Sequence, residues 1–489
     1  MASTSNIIPS PAETCHIRDL PNELLCHIFD YLDASKPSDF GLDDEPTFAV
    51  TDSNTANLKS ISQVTKAWRS LVIPTLFRHA RLVVSDPETK RPLLNDHIAP
   101  FLAFATRNSL RKYITSFVLL VRDKKIAHLT NGEYRLSGFA SVWDTIFKVI
   151  DPSELLVVAH PASLGPLAAC NVYLSDAWNF DCPCHYLRLR RPAMPVGSPA
   201  AKAANFVNDQ ADFGREDLDQ MMDDLTVDKA SPNAAGLEIS LAAGDANVQE
   251  HDAEPWELTR AKSSPLFDIR PWTSFLLNEG SFIRAYATYE FWLRQAPSIL
   301  SDLVGAEQAE HKSFISPTIS DMSYIGIFPM ERHFRSLTDN LPRLDKLFVQ
   351  LVPRNDILNQ ASKMVQVEAE DLWMERNSCY ASVVRQLFNS PSRGNYKHLQ
   401  VFESGDAADR DAWLMAVEYI KRAGKGWEIA SEGVFVREGT KYVDGENEEA
   451  SELDNTAFQR SLIRWSWAGT RRLPVSAFTM YEQPFGPII

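Results

Sequence analysis

Along this chain an amphipathic helical pattern repeatedly runs through a short turn into a β-rich stretch. It does so in "HIAPFLAFATRNSLRKYITSFVLLV", "SVWDTIFKVIDPSELLVVAHP", "FPMERHFRSLTDNLPRLDKLFVQLVP" and "YASVVRQLFNSPSRGNYKHLQVFESGD". That recurrence places the body of the chain in the α/β class, with "YITSFVLLV" and "ELLVVAH" read as strands. At 489 residues the chain is long enough for roughly two to four domains. Its 11 Trp and 26 Phe supply ample core material.

In "LPRLDKLFVQL", Leu341, Leu344, Leu347 and Leu351 follow a spacing that resembles the leucine-rich repeat, and "YKHLQVFES" and "YITSFVLLV" are weaker versions of it. The spacing between these stretches is irregular, so no clean period emerges. The expected architecture is an irregular α/β solenoid of degenerate repeats, each burying its face against its neighbours; a compact α/β domain with similar element counts is the alternative.

The net charge of −15 is concentrated in two places. Residues 205–257 carry 14 acids against 2 bases and residues 33–57 carry 6 against 1, which leaves the rest of the chain near neutral. No basic stripe marks a nucleic-acid surface, and no apolar run reaches the roughly 18 residues of a spanning helix. The N-terminus does not resemble a secretory signal, and six unevenly spaced cysteines suit a reducing compartment. The expected location is cytoplasmic or nuclear, with no membrane partner.

The expected organisation is a loose tail over 1–14, a helical module over 15–84 interrupted by an acidic loop at 33–57, and a first α/β part over 85–191. A disordered acidic linker over 192–264 and a second α/β part over 265–489 follow. Within the linker, Leu218, Met221, Met222 and Leu225 predict a short acidic amphipathic helix at 216–228, a form that folds into partner grooves.

The N-terminal module begins with "DLPNELLCHIFDYLD". Proline at the first helical position and Glu23 in the first turn predict a helix from Pro21 to Leu32. Leu24, Leu25, Ile28, Phe29 and Leu32 recur along it at one-face spacing. In the following "LKSISQVTKAWRSLVIPTLFRHARLVV", Leu58, Ile61, Val64 and Trp68 lie on one helical face, Pro74 is expected to break or restart the helix, and Arg81–Val84 reads as a strand.

Taken together, "LPNELLCHIFDYL" and "ISQVTKAWRSLVIPTLFRHARL" closely resemble the F-box over residues 18–82, because two separated halves agree in order and spacing. The longer remainder, with "NEGSFIRAYATYEFWL" and "LPRLDKLFVQLVP", looks like that of filamentous-fungal F-box proteins with divergent leucine-rich repeats. The resemblance implies a three-helix F-box docking to a Skp-type adaptor and, through it, to a cullin. Leu20 and Pro21 match the family's adaptor-contacting pair; Leu24, Ile28 and Leu32 are further candidates on the first helix, and Val64 and Trp68 supply inter-helix core or additional contact. A three-helix module this small leaves apolar surface over, and such surface fits a partner. The 33–57 insert separates the helices by more than is usual: folded across the adaptor face it obstructs docking, looped outward it does not.

"DCPCHYLRLRR" offers Cys182, Cys184 and His185 with Cys170 upstream, but C-x-C-H lacks the second spaced pair that metal sites favour, so it reads as a loop. No nucleophile-elbow, phosphate-loop, dinucleotide or zinc-protease signature occurs. The resemblance implies a non-catalytic substrate-recognition subunit of a Skp–cullin–F-box ubiquitin ligase, without cofactor, that presents a protein substrate on its repeat region. The alternatives are an adaptor-bound scaffold outside any ligase and an enzyme with a Cys/His metal site at 170–185.

Overall fold

The computed structural model describes residues 17, 20–33, 36, 41–52, 55–84, 94–122, 136–172, 183–192, 263–288, 294–308, 310–352, 360–388, 394–406, 410–423 and 426–440. The tail 1–14, nearly all of the 192–264 linker with its 216–228 helix, Cys182 and the segment beyond 440 lie outside the described residues.

Three short helices come first: α1 (Asn22–Asp30), α2 (Ala56–Val64) and α3 (Lys66–Leu76). Pro21 turns out to be the N-cap of α1 rather than its first residue (φ −55°, ψ 148°). The helix also ends two residues before Leu32, whose N–H donates to the Phe29 carbonyl in a tightened exit turn. The single pattern expected from Leu58 to Trp68 is two helices. Thr65 is extended at φ −151°, and its hydroxyl caps α3 by accepting the Trp68 N–H at 3.0 Å. Pro74 does not break α3; it sits in the last turn, where the missing N–H costs one hydrogen bond and the helix is already ending. Leu25, Phe29, Leu58 and Val72 form a small separate core, with Trp68 edge-on to Phe29 at 5.5 Å.

Only Phe77 and Arg78 separate α3 from β1 (His79–Val84). Arg78 is held from both sides. Its guanidinium pairs with Asp30 at 2.9 Å and Asp33 at 3.4 Å, while its carbonyl accepts the N–H groups of Thr115 and Ser116 at 3.0 and 3.1 Å.

Among the described residues the body is one ten-stranded mixed sheet. Its strands are β1, β2 (Ser116–Val121), β3 (Glu154–Ala159), β4 (His185–Arg190), β5 (Ser274–Ser281), β6 (Asp321–Ile327), β7 (Lys346–Gln350), β8 (Val401–Ser404), β9 (Trp427–Ser431) and β10 (Val434–Arg437). Strands β1 to β8 lie in chain order, followed by β10 and β9. All pairs through β8 are parallel except those of β4, which is antiparallel to β3 and β5; β10 runs antiparallel to β8 and β9. The "HYLRLR" stretch expected in a loop is therefore a strand in the middle of the sheet. Leu187 and Leu189 fill the core on one side and the arginines take alternate positions.

Residue alternation along each strand divides the interior in two. Phe117, Leu119, Leu155, Val157, Phe275, Leu277, Met322 and Leu347 face one layer of helices. That layer consists of α4 (Leu94–Arg107), α5 (Leu136–Val149), α6 (Pro161–Ala168), α7 (Pro265–Asp268), α9 (Leu300–Leu303), α10 (Glu331–Asp339), α11 (Ala369–Phe388) and α12 (Arg410–Ala423). Val118, Leu120, Leu156, Val158, Leu276 and Ile325 face the other way, under α8 (Ile283–Thr288), the start of α11 and, unexpectedly, residues 42–50.

Successive parallel strands begin with the same backbone link. The Thr115 N–H donates to Arg78, Ser153 to Thr115, Ser320 to Thr273, Asp345 to Ser320 and Gln400 to Asp345, at 2.8–3.0 Å. Three residues before the first core-facing strand position stands a buried side chain: Ile114, Trp272, Ile319, Leu344 or Leu399. The first two rungs are 37 and 38 residues apart; the later intervals are uneven.

Candidate functional site

Helix α1 carries two apolar stripes. Leu25 and Phe29, 3% and 2% exposed, point into the small core. Leu24, Ile28 and Leu32 remain 49%, 37% and 38% exposed at i, i+4 and i+8, on one outward face. Pro21 is exposed at the head of the helix and Leu20 is half-buried against the core. Val64 is exposed at the end of α2 (52%), whereas Trp68 is half-buried on Phe29. The sequence reading overlooked Ile17 and Tyr31, which are 51% and 75% exposed. Tyr31 falls at i+7 from Leu24, so the spacing that marked the stripe also contained it. An outward row of large aliphatic groups on a short helix is unfavourable in water, since each buried CH₂ is worth about 0.8 kcal/mol. A covering partner removes that cost.

Residues 17–82 match the F-box-like family. No curated protein and no solved structure matches the chain. The F-box-like stretch thus spans α1 to β1, including the acidic insert, and its exposed stripe lies on the first helix.

The described part of the insert takes neither course considered from the sequence. That part, residues 41–52, lies as a strap on the sheet face opposite the main helix layer. The Asn278 side-chain amide donates to the carbonyls of Leu42 (2.7 Å) and Asp44 (2.8 Å). That of Gln350 donates to the Asp43 carbonyl (2.9 Å). The Tyr186 hydroxyl donates to the Thr47 carbonyl at 2.8 Å and accepts the Thr47 N–H. Glu45 pairs with Lys363, and Asp52 with Arg81 at 2.8 Å. Leu42 is buried, Phe48 and Val50 pack beside it, and the Arg122 guanidinium lies 5.9 Å from the Phe48 ring centroid. Residues 42–44 meet β5 and β7, Thr47 meets β4 and Asp52 meets β1, so from residue 44 onward the strap crosses the strands on its way back to the helical module. Arg188 on β4 lies on this face; burial and Arg190 push its pKa down to about 10, while Glu154 and Asp43 favour its charge.

On the opposite side of the sheet, Glu279 is wholly buried at the end of β5. It accepts from Tyr324 (2.9 Å) and Ser298 and lies 2.9 Å from His333 Nε2. Burial opposes its charge, but His333, His185 and Ser298 outweigh this and leave its pKa below the ordinary carboxylate value. Burial drops the neighbouring His185 to about 4, so it is neutral at physiological pH. Near the end of β8, burial lifts Asp406 to about 6 despite hydrogen bonds from Tyr380, the Leu351 N–H (2.7 Å) and the Val352 N–H (2.9 Å).

The Cys/His stretch does not assemble a ligand set among its described residues. Cys184 packs on the strap side, His185 faces Glu279 on the other side, and Cys170 is buried with its thiol 3.6 Å from the Ala168 carbonyl. Among the described residues, the one grouping of potential metal ligands is Asp302, Glu307 and His311, whose ligand atoms lie within 4.8 Å of one another. An open cleft of about 650 Å³ lies between the ends of α10 and α11, lined by Asp339, Arg343, Gln386 and Asn395 among others. No helix among the described residues is long and apolar enough to cross a membrane.

Proposed function

We propose that this chain is a substrate-recognition subunit of a Skp–cullin–F-box ubiquitin ligase. The observation that carries the reading is the outward stripe of Leu24, Ile28 and Leu32, headed by Pro21, on the first helix of the F-box-like stretch. In this reading these residues, with Leu20 and the end of α2 at Val64, form the face for a Skp-type adaptor, and Trp68 holds α1 at its angle from beneath. The sheet serves as a degenerate leucine-rich-repeat-like array that presents a protein substrate. Its chain-order strands and the recurring backbone link support that finer reading, because repeat arrays contact mainly nearest neighbours. Catalysis lies elsewhere in the assembly: the chain raises the local concentration of its substrate near a charged ubiquitin carrier. It uses no cofactor, nucleic acid or membrane, and works in the cytoplasm or nucleus.

The test is affinity purification of the full chain with the proteasome blocked. Adaptor and cullin should co-purify, and a Leu24→Asp/Ile28→Asp variant of unchanged melting behaviour should lose both. Adaptor without cullin would favour a scaffold outside a ligase; loss of neither in the double variant would remove the stripe from the interface.

A further inference from the structure

We propose that the sheet face beneath residues 41–52 is a binding site for an acidic peptide segment of a partner protein that folds as a turn followed by a short 3-10 helix, and that the strap occupies it as an intramolecular stand-in. The proposal rests on the reading of the chain as a substrate receptor and names the chemistry of what it would receive.

Three observations converge. First, the strap is recognised through its main chain. Asn278 and Gln350 direct side-chain amides at three consecutive carbonyls, those of residues 42, 43 and 44, and Tyr186 binds both backbone groups of Thr47. The strap turns at residues 41–45, where the Asp44 N–H donates to the Gly41 carbonyl at 3.3 Å, and ends in a 3-10 helix at Phe48–Thr51; main-chain recognition of this kind accepts any segment that takes the same course and whose side chains are tolerated. Second, the charges are complementary. The strap sequence "GLDDEPTFAVTD" has four acids and no base, and the face presents Lys363 to Glu45, Arg81 to Asp52 and Arg188 near Asp43. Third, the apolar contribution comes from a few anchors: Leu42 is buried, and Phe48 and Val50 are partly so. A ligand for this face is therefore a segment that takes this turn, with acids next to its aliphatic anchor and an aromatic anchor about six residues further on. Asn278 anchors the reader rigidly, since its own carbonyl oxygen accepts the Gly280 N–H at 2.8 Å.

A tethered stand-in competes at an effective concentration on the order of millimolar, so the intact chain should take up a competing peptide weakly. The probe is a fluorescein-labelled synthetic peptide with the sequence of residues 39–53, measured by anisotropy on the full chain. Replacing residues 41–50 with Gly and Ser at the same length should tighten binding at least about tenfold over wild type. In that background Asn278→Ala/Gln350→Ala should return it to the wild-type level, and a probe with its acids changed to lysine should not bind. A strap-replaced chain that keeps its far-UV circular dichroism and cooperative melting yet fails to bind the acidic probe overturns the proposal. So does equal binding of the lysine probe.

Hydrogen exchange on the unmodified chain gives a second test that needs no variant to fold. A seated ligand opens locally, so the 42–50 amides should exchange at least about tenfold faster than those of β3 and β4; exchange as slow as in those strands would make the strap ordinary core and end the proposal. Adaptor binding, read in parallel with the Leu24→Asp/Ile28→Asp variant, fails or succeeds independently of both.

Discussion

Two buried groups set opposing pH responses, and separating them tests the account of the interior. His185 is wholly buried and its pKa is pulled from 6.5 to about 4 by burial. As pH falls below 6.5 the unfolded chain takes up a proton that the folded chain refuses, so stability is lost between pH 6.5 and about 4, by about 3 kcal/mol in all. Asp406, also buried, runs the other way. Its pKa rises from 3.8 to about 6, so the folded chain takes up its proton first and stability is gained as pH falls from about 6 to 3.8, again by about 3 kcal/mol. In the wild type the two nearly cancel. The expectation is that His185→Gln gains about 2–3 kcal/mol relative to wild type on going from pH 7.5 to 4.5, and that Asp406→Asn loses about 2 kcal/mol over the same interval. Urea unfolding followed by tryptophan fluorescence is the assay, since Trp143 and Trp272 are wholly buried in the same core. Using differences from wild type removes what the surface carboxylates contribute. A gap between His185→Gln and wild type that stays constant within about 0.5 kcal/mol across the range would refute the burial argument.

Other expectations follow from the helical module. Leu24→Ala/Ile28→Ala should leave the melting temperature within about 2 °C of wild type and weaken adaptor affinity about 30-fold by calorimetry, since each half-exposed side chain has about 1 kcal/mol of burial left to gain on docking. Phe29→Ala should do the reverse to the fold, costing about 3–4 kcal/mol through lost packing with Trp68 and Leu58, read as early urea unfolding of residues 20–78 by hydrogen exchange. Thr65→Ala removes the cap of α3 and should cost about 1 kcal/mol, whereas Thr65→Ser should retain most of it. Gly305→Ala should lower the melting temperature by several degrees in a thermal scan. Its φ of +78° disfavours a side chain, and the new methyl would lie 2.7 Å from the His311 carbonyl oxygen.

Local chemistry explains what was readable in the sequence. The helices around Leu25 and Trp68 and the strands at Ser116–Val121 and Glu154–Ala159 declare themselves by patterns that need no distant partner. The break at Thr65 was missed because apolar spacing alone carried the reading through it, although a threonine three residues before Trp68 is an ordinary cap. β4 was missed because two arginines and the Cys-Pro-Cys entry hide a period-two alternation. The recurring link at the strand starts was not readable because it is a backbone hydrogen bond, which any residue supplies, while the connections differ in length. The strap was hidden for a related reason: acids and turn formers read as solvent-facing, and what seats residues 42–47 is mostly carbonyls, which composition does not report. The exposed stripe was visible as spacing, but which of its members turn outward required the small core beneath it.

The two-residue joint at Phe77 and Arg78 has a mechanical meaning. A flexible tether between a docking module and a presenting surface lets a target sample many distances. Here the joint residue belongs to both parts at once, with its guanidinium on Asp30 and Asp33 and its carbonyl on the Thr115 and Ser116 N–H groups at the head of β2. In the proposed role the molecule would act as a ruler, keeping whatever its sheet holds at one reach from whatever grips α1. Lengthening that joint by a glycine would change the reach without altering either grip.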